Sequence, residues 1–393
     1  MAQQVSTWWA SGRDGTEEML ASVELLDPSG APFRSTESQA APIYCTHATQ
    51  TSDRSRSVWS TATAQFLIPW DADDAMLALI PKDPLAPLAP TSSTTFRLSA
   101  GFRNPYTGDE EMVYVGRYDI EDVNVTRTAE GIVIDLDGQD LTGRLDVADV
   151  SFPLDIPWGW RVVDYAKWLV TSAIPWMVFE EDASDATMAR VVLDEQANRW
   201  SEITKALTSI GFEGLMDPSG EFMRLRNVPT TADVAHWYLD VDDVRTGDLV
   251  NQIAQQQSRS RVYNGVICKG ENPNSTDLPV RGQAWVEDTS DPTHYIPGPP
   301  TQTNIGPRPF FLTSQYVRTT EQAQFAAEAE LRRIRGLLQR IDLEIPTNPA
   351  INVGDVLFVS SEDIGILGRY VVQSTAFDLG AGRERISCEE RRV

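Results

Sequence analysis

Gly116-Arg117-Tyr118-Asp119-Ile120 and, late in the chain, Gly368-Arg369-Tyr370-Val371-Val372 decide how this sequence is read. Each opens an alternating run. Gly131 then leads into Ile132-Val133-Ile134-Asp135-Leu136, and Gly382 into Arg383-Glu384-Arg385-Ile386-Ser387-Cys388. Another apolar run precedes each, at residues 96–101 and 356–360. Strict alternation predicts a half-buried strand, and a glycine between two such runs predicts the turn joining them. Three shared letters say little alone. The same order of strand, loop, Gly-Arg-Tyr strand, glycine turn and strand predicts two copies of one β-module in a single polypeptide.

Outward from these runs, the first third reads as strands and turns. Residues 23–26 enter the tight turn Asp27-Pro28-Ser29-Gly30, residues 58–68 form a further strand, and the prolines of residues 83–90 predict a stiff loop. Strands over 96–102 and 112–125 flank the turn-rich stretch 104–109. After Pro157 the texture becomes helical. Residues 162–174 place Asp164, Lys167 and Thr171 on one face of a mostly buried helix. A second helix is capped by Asn198, presents Trp200, Ile203, Leu207 and Ile210, and stops at Gly211. A hairpin follows around Asp217-Pro218-Ser219-Gly220.

A short helix is predicted over residues 248–257, then an apolar strand over 261–268, then a surface excursion or contact arm over 272–309. A long helix starts at Thr319 with Gln322 as capping-box partner and turns Ala327, Leu331, Ile334 and Leu338 to one side. Arg332, Arg333, Arg335 and Arg340 crowd its C-terminal end, where the helix dipole favours positive charge. The predicted fold is therefore α+β and mainly β, with a small α/β insertion and a long helix. Its predicted domains are 1–155, 156–235 and 236–393.

The 393 residues carry 57 acids against 33 bases, a formal charge of −24, which disfavours ordinary nucleic-acid binding. An acidic excess serves solubility, or it makes a wall past which DNA slides without sticking. Cys45, Cys268 and Cys388 lie too far apart in sequence to signal a disulfide framework or a thiolate metal site. No apolar stretch reaches the length of a membrane span, and the N-terminus lacks a signal-peptide pattern, which predicts folding in a cytosol.

Three histidines, His47, His236 and His294, occur without an HExxH spacing, and there is no GxSxG elbow, Walker loop or GxGxxG. Asp135-x-Asp137-Gly138-x-Asp140 has part of a calcium-loop pattern but lacks its third early ligand and final glutamate, so a strand-ending turn is predicted there. Asp71, Asp73 and Asp74 suit the cap of the following apolar turn, a channel lining or a cation. No catalytic residue, metal or cofactor is expected.

Four segments together resemble the baseplate-hub family of bacteriophage tails, in the version found in phages of actinobacteria. They are residues 79–87 with 114–120; residues 133–141 with Phe152-Pro153; Gly211-Phe212 with the 217–220 turn and residues 264–267; and Ile345-Pro346 with residues 353–359 and the terminal strand pair. The resemblance runs from about residue 20 to the end, and residues 272–309 depart from it. It implies two tail-tube-like β-barrel modules per chain. It also implies a non-enzymatic homotrimer closing the tail tube at the tail tip of the virion, assembled in the host cytoplasm. The implied partners are the tail tube or distal tail protein, the tape-measure protein and other tail-tip proteins, with DNA passing during genome ejection and not specifically bound. Asp119, Glu121, Asp122, Glu384 and Glu389 are the candidate lumen-lining acids. Alternation lets Glu121 and Asp122 both face the lumen only if their strand is bulged. A cell-wall hydrolase, which needs only two carboxylates, and a receptor-binding protein using Trp285 and Tyr295 are the competing readings.

Overall fold

The computed structural model describes residues 5, 18–27, 30–32, 42–84, 86–89, 91–188, 190–241, 252–256, 262–270, 280–301, 305–335 and 339–390. The first third supplies β1 (Glu18–Leu26), β2 (Ile43–Tyr44), β3 (His47–Asp53), β4 (Ser60–Pro69), α1 (Asp74–Leu77), β5 (Thr95–Arg103), β6 (Glu110–Arg127) and β7 (Gly131–Asp140). The strands pair antiparallel in the order β2-β1-β5-β6-β7-β4-β3. Period-2 burial sets their faces: β4 turns Ala62, Ala64, Phe66 and Ile68 to the core and Thr61, Thr63 and Gln65 away from it. Asp73 caps α1, its carboxylate accepting from Met76 N at 2.8 Å. Pro28 and Ser29 of the predicted first turn, Leu85 and Pro90 of the stiff loop, and the N-terminal residues 1–4 and 6–17 lie outside the described residues.

The middle of the chain forms α2 (Thr142–Val147), β8 (Leu154–Ile156), α3 (Val162–Ala173), β9 (Val178–Glu181), β10 (Val191–Leu193), α4 (Arg199–Thr208), β11 (Phe212–Met216) and β12 (Phe222–Asn227). Helix α3 buries Val162, Val163, Tyr165, Ala166, Leu169 and Val170. Asn198 caps α4 by accepting from Ser201 N at 2.7 Å. Gly211, ending that helix region, and Gly220, closing the β11–β12 hairpin, have φ of 72° and 69°, a conformation that favours glycine. Glu202 is buried and fully engaged: it accepts from Tyr316 Oη at 2.5 Å, Gln315 Nε2 at 2.8 Å and Lys205 Nζ at 2.7 Å, tying α4 to the chain ahead of the last helix.

The last third holds β13 (Trp237–Asp240), β14 (Gln252–Gln256), β15 (Gly265–Gly270), β16 (Arg281–Trp285), β17 (Pro309–Ser314), α5 (Thr320–Ile334), β18 (Arg340–Pro346), β19 (Val356–Ser361), β20 (Ile366–Asp378) and β21 (Arg383–Glu389). Two expectations change here. Residues 252–256, read as helix, are strand β14, because antiparallel pairing with β18 overrides the helical preference of Gln-Ile-Ala-Gln-Gln; the rest of 248–257 lies outside the described residues. The excursion at 272–309 contains β16, which joins β15 and β17 in a separate three-stranded sheet packed on α5; residues 271–279 and 302–304 lie outside the described residues. The capping box at Thr319 and Gln322 is present. Of the predicted helix face, Ala327, Leu331 and Ile334 are buried, while Leu338 lies outside the described residues. The arginine cluster is split: Arg333 pairs with Glu330, Arg335 with Asp291 and Asp288, and Arg340 opens β18 opposite Glu389.

The internal repeat holds at the level of register. In β5–β6, Leu98, Arg97 and Phe96 face Gly116, Arg117 and Tyr118; in β19–β20, Val359, Phe358 and Leu357 face Gly368, Arg369 and Tyr370. Both Gly-Arg-Tyr strands then skip one residue against the following strand, Glu121 in β6 and Gln373 in β20, five positions after the respective glycine. A shared bulge is a stronger mark of common architecture than a shared tripeptide. In the first copy the Gly-x-Tyr spacing has a steric reason, since a Cβ on Gly116 would lie 2.3 Å from Tyr118 Oη; in the second, a Cβ on Gly368 would meet Tyr370 at an ordinary 3.8 Å. Gly382 takes φ +61° at its turn, whereas Gly131 serves close approach, since a Cβ there would meet Ile68 O at 2.2 Å.

The fold is α+β and mainly β. Among the described residues neither module closes into a barrel, because each spends a strand edge elsewhere. One edge of β20 receives β19 along residues 366–371 and β3 of the first module along residues 374–378, which fuses the modules into one thirteen-stranded sheet. Phe377, on β20, is 4% exposed and buried in the core of the first module. Phe377→Ala is expected to cost about 3–5 kcal/mol, the range for a buried Phe truncation, read by urea denaturation. A loss below about 1 kcal/mol would mean that the seam does not hold the modules together.

Asp140 ends β7 buried, accepting from Thr142 N at 3.1 Å and from the Thr142 hydroxyl. Burial pushes its carboxyl up to about 7, against ~3.9 for an exposed aspartate. Between those values the folded state holds a proton that the unfolded chain has released. Stability therefore falls as pH rises from about 4 to about 7, by about 1.4 kcal/mol for each pH step of one. Asp140→Asn removes this slope: the variant gains on the parent at pH 8 relative to pH 4.5. Parallel stability curves for the two proteins would show that Asp140 is buried ionised.

Candidate functional site

Eight strands form a continuous belt in the order β14-β18-β21-β20-β3-β4-β7-β6. One face packs on the cores, and alternation leaves the other to polar residues. In the first module that face carries Thr49 bonded to Thr63 at 2.7 Å, Gln65 donating to Asp135 at 2.7 Å, and Asp137, which stands opposite Asp122 in the β6–β7 ladder. The Asp137 carboxyl is raised, by partial burial first and then by the negative charges of Asp122 and Asp135. In the second module the acids of the same face are matched by arginines: Glu344 meets Arg383 at 2.8 Å and Arg385 at 3.6 Å, and Asp342 meets Arg340 at 3.1 Å.

The five acids singled out in the sequence do not share one surface. Glu121 and Asp122 are both exposed, and the bulge on which their common orientation depends is present at Glu121. Glu389 stands half-buried opposite Arg340. Asp119 is held by Arg144 through bonds of 2.6 and 2.5 Å, tying β6 to α2. Glu384 is 1% exposed, faces Phe377 across the ladder and accepts from Asn348 N at 2.8 Å, so it belongs to the interior. Asp135 and Asp137, read as part of a strand-ending turn, lie within β7, and the turn comes after Asp140. The alternation Ile134-Asp135-Leu136-Asp137 carried that signal. The same alternation puts Asp140 on the opposite, buried face, which no single-ion loop allows.

His47 lies 3.8 Å from Asp378 on the belt, and His236 Nδ1 accepts from Val356 N at 3.0 Å. His294 sits beside the Trp285–Tyr295 stack, whose ring centroids are 4.0 Å apart. Burial pushes the Cys45 and Cys268 thiols up to about 12 and about 11 and raises Cys388 further, so none is an activated nucleophile. Among the described residues no group of three or more His, Cys, Asp or Glu is placed to hold a metal, and no helix is long and apolar enough to cross a membrane.

No protein-family model matches the sequence, and no curated protein matches it. Solved structures do match the fold along nearly its whole length. A tail protein from Neisseria meningitidis MC58 superposes with a TM-score of 0.62 at 13% identity, covering 95% of this chain and 96% of that one. The 43 kDa tail protein of prophage MuSo2 from Shewanella oneidensis gives 0.56 at 14% identity, covering 96% and 98%. The E. coli c3393 protein, a type VI secretion component described as similar to the T4 tail proteins gp27 and gp5, gives 0.51 at 9% identity, covering 91% and 76%. The chain therefore has the fold of bacteriophage tail proteins.

Proposed function

We propose that this protein is a structural subunit of a bacteriophage tail tip, a baseplate hub in which three copies form a ring that closes the tail tube. The observation that carries the reading is the duplicated module: two sheets of equal register sit side by side in a chain whose fold is that of tail proteins. A head-to-tail interface forms a ring only if its rotation closes, and two modules per chain let three copies present six to a sixfold tube. The role is non-enzymatic. Its partners are the tube or distal tail protein above, the tape-measure protein within and other tip proteins around it.

In this reading the polar face of the belt lines the passage. Asp122, Asp135 and Asp137, with Glu121 at the bulge and Glu389 in the second module, are the acids that face DNA. Repulsion across a narrow, partly desolvated channel acts within a Debye length of ~8 Å and lets a polyanion pass without being held.

Native mass spectrometry of the full chain is expected to give a trimer; a stable hexamer would contradict the two-module ring. Incubation with purified host peptidoglycan is expected to release no soluble fragments. Release that is abolished by replacing a single acid would move the reading to a hydrolase. Replacing Asp122 and Asp137 together by Asn is expected to leave ring assembly intact and to slow DNA release severalfold at low salt, an effect that shrinks as salt is raised. Unchanged release at every ionic strength would assign the charge to solubility.

A further inference from the structure

The seam inside the chain is a template for a contact the single chain does not make. Within the chain, β3 of the first module lies on the edge of β20 left free below β19, pairing Asp378 with Thr49, Phe377 with Gln50 and Ala376 with Thr51. The repeat fixes the equivalents of both strands. Gly116 corresponds to Gly368, so Val125 corresponds to Phe377, and Gly138 to Cys388 across the next ladder. Gly138 faces Ala62 and Cys388 faces Ile341; Ala62 in turn faces Gln50, and Ile341 faces Gln255. β14 is therefore the second module's β3, with Gln255 in the place of Gln50.

Both equivalents are open edges. β5 occupies its edge of β6 only up to Asp119, and beyond the bulge the side of β6 away from β7 has no strand on it among the described residues. β14 pairs with β18 alone among the described residues. Burial differs accordingly. Phe377 is 4% exposed and Gln50 6%, whereas Val125 is 43% exposed and Gln255 is exposed. The edge Gln252-Ile253-Ala254-Gln255-Gln256 carries no charge, proline or bulge, the devices by which a solvent-facing edge avoids pairing.

We infer that β14 of one copy pairs antiparallel with residues 124–126 of β6 in the next copy, Thr126 against Ala254, Val125 against Gln255 and Asn124 against Gln256. This deepens the ring reading and rests on it: the relation of first to second module inside a chain repeats between chains, and the belt becomes continuous around the axis. Val125 then enters the neighbour's second core beside Ile253, as Phe377 enters the first.

The test is oxidative cross-linking of the full chain carrying Asn124→Cys with Gln256→Cys, and separately Val125→Cys with Gln255→Cys. Adjacent antiparallel pairs alternate between close and wide spacing, so one of the two is favourable. Asn124→Cys with Gln252→Cys is the off-register control, and the parent, with its three native thiols, is the background. The in-register pair is expected to give covalent dimers and trimers in denaturing gels, and the control none above background. Val125→Lys, exposed in the single chain, is expected to keep a folded monomer and to weaken trimerisation at least tenfold. A parent that stays monomeric in native spectra overturns the ring reading and this pairing with it. A trimer in which neither in-register pair cross-links, or which Val125→Lys leaves intact, overturns the pairing alone.

Discussion

Everything in this molecule is arranged around the antiparallel contact of β3 with the lower half of β20. It joins two sheets into one, delivers Phe377 of one module into the core of the other, and leaves neither module closed on itself among the described residues. A barrel would satisfy each sheet edge within its own module. Here the first module spends β3 on the second, and among the described residues no strand covers the edge it leaves on its own β6. The bulge at Gln373 makes this possible, because the edge of β20 serves β19 ahead of it and β3 after it; on β6 the strand β5 likewise leaves the edge ahead of the bulge at Glu121.

Much of this is legible in the sequence. The Gly-Arg-Tyr strands, the flanking strands, the caps at Asn198 and Thr319 and the turn at Gly220 all lie where local rules put them, because each depends on residues close in sequence. β14 misleads, since Gln-Ile-Ala-Gln-Gln has helical composition and becomes a strand only through β18, a partner far along the chain. β9 gives no signal for the same reason: four residues pair in parallel with β12, and little local pattern announces it. Of the separate sheet, β15 is legible as an apolar strand, whereas β16 is hidden inside a stretch whose Pro, Gly and Asn content reads as loop.

The candidate surface is half legible. Charge alone does not separate Glu384, sealed in the interior against Asn348 N, from Asp122, exposed on the belt. Register decides that: Glu384 is in phase with the buried Ile386 and Cys388 on β21, whereas the bulge at Glu121 sets the face that Asp122 takes. At Asp135 and Asp137 the partial calcium pattern draws attention to spacing, when the informative feature is their alternation with Ile134 and Leu136. The −24 charge thus becomes a statement about location only once strands are placed.

The proposed ring rests on the equivalence of the two modules of one chain, which it sets side by side as wedges around a single axis. A cryo-EM map of the tail tip would decide it. Equivalent wedges require three chains whose six modules lie at one height, related by near-sixfold rotation, with unbroken strand density from each chain into the next. Density with the two modules of a chain stacked at different heights along the axis would contradict that arrangement.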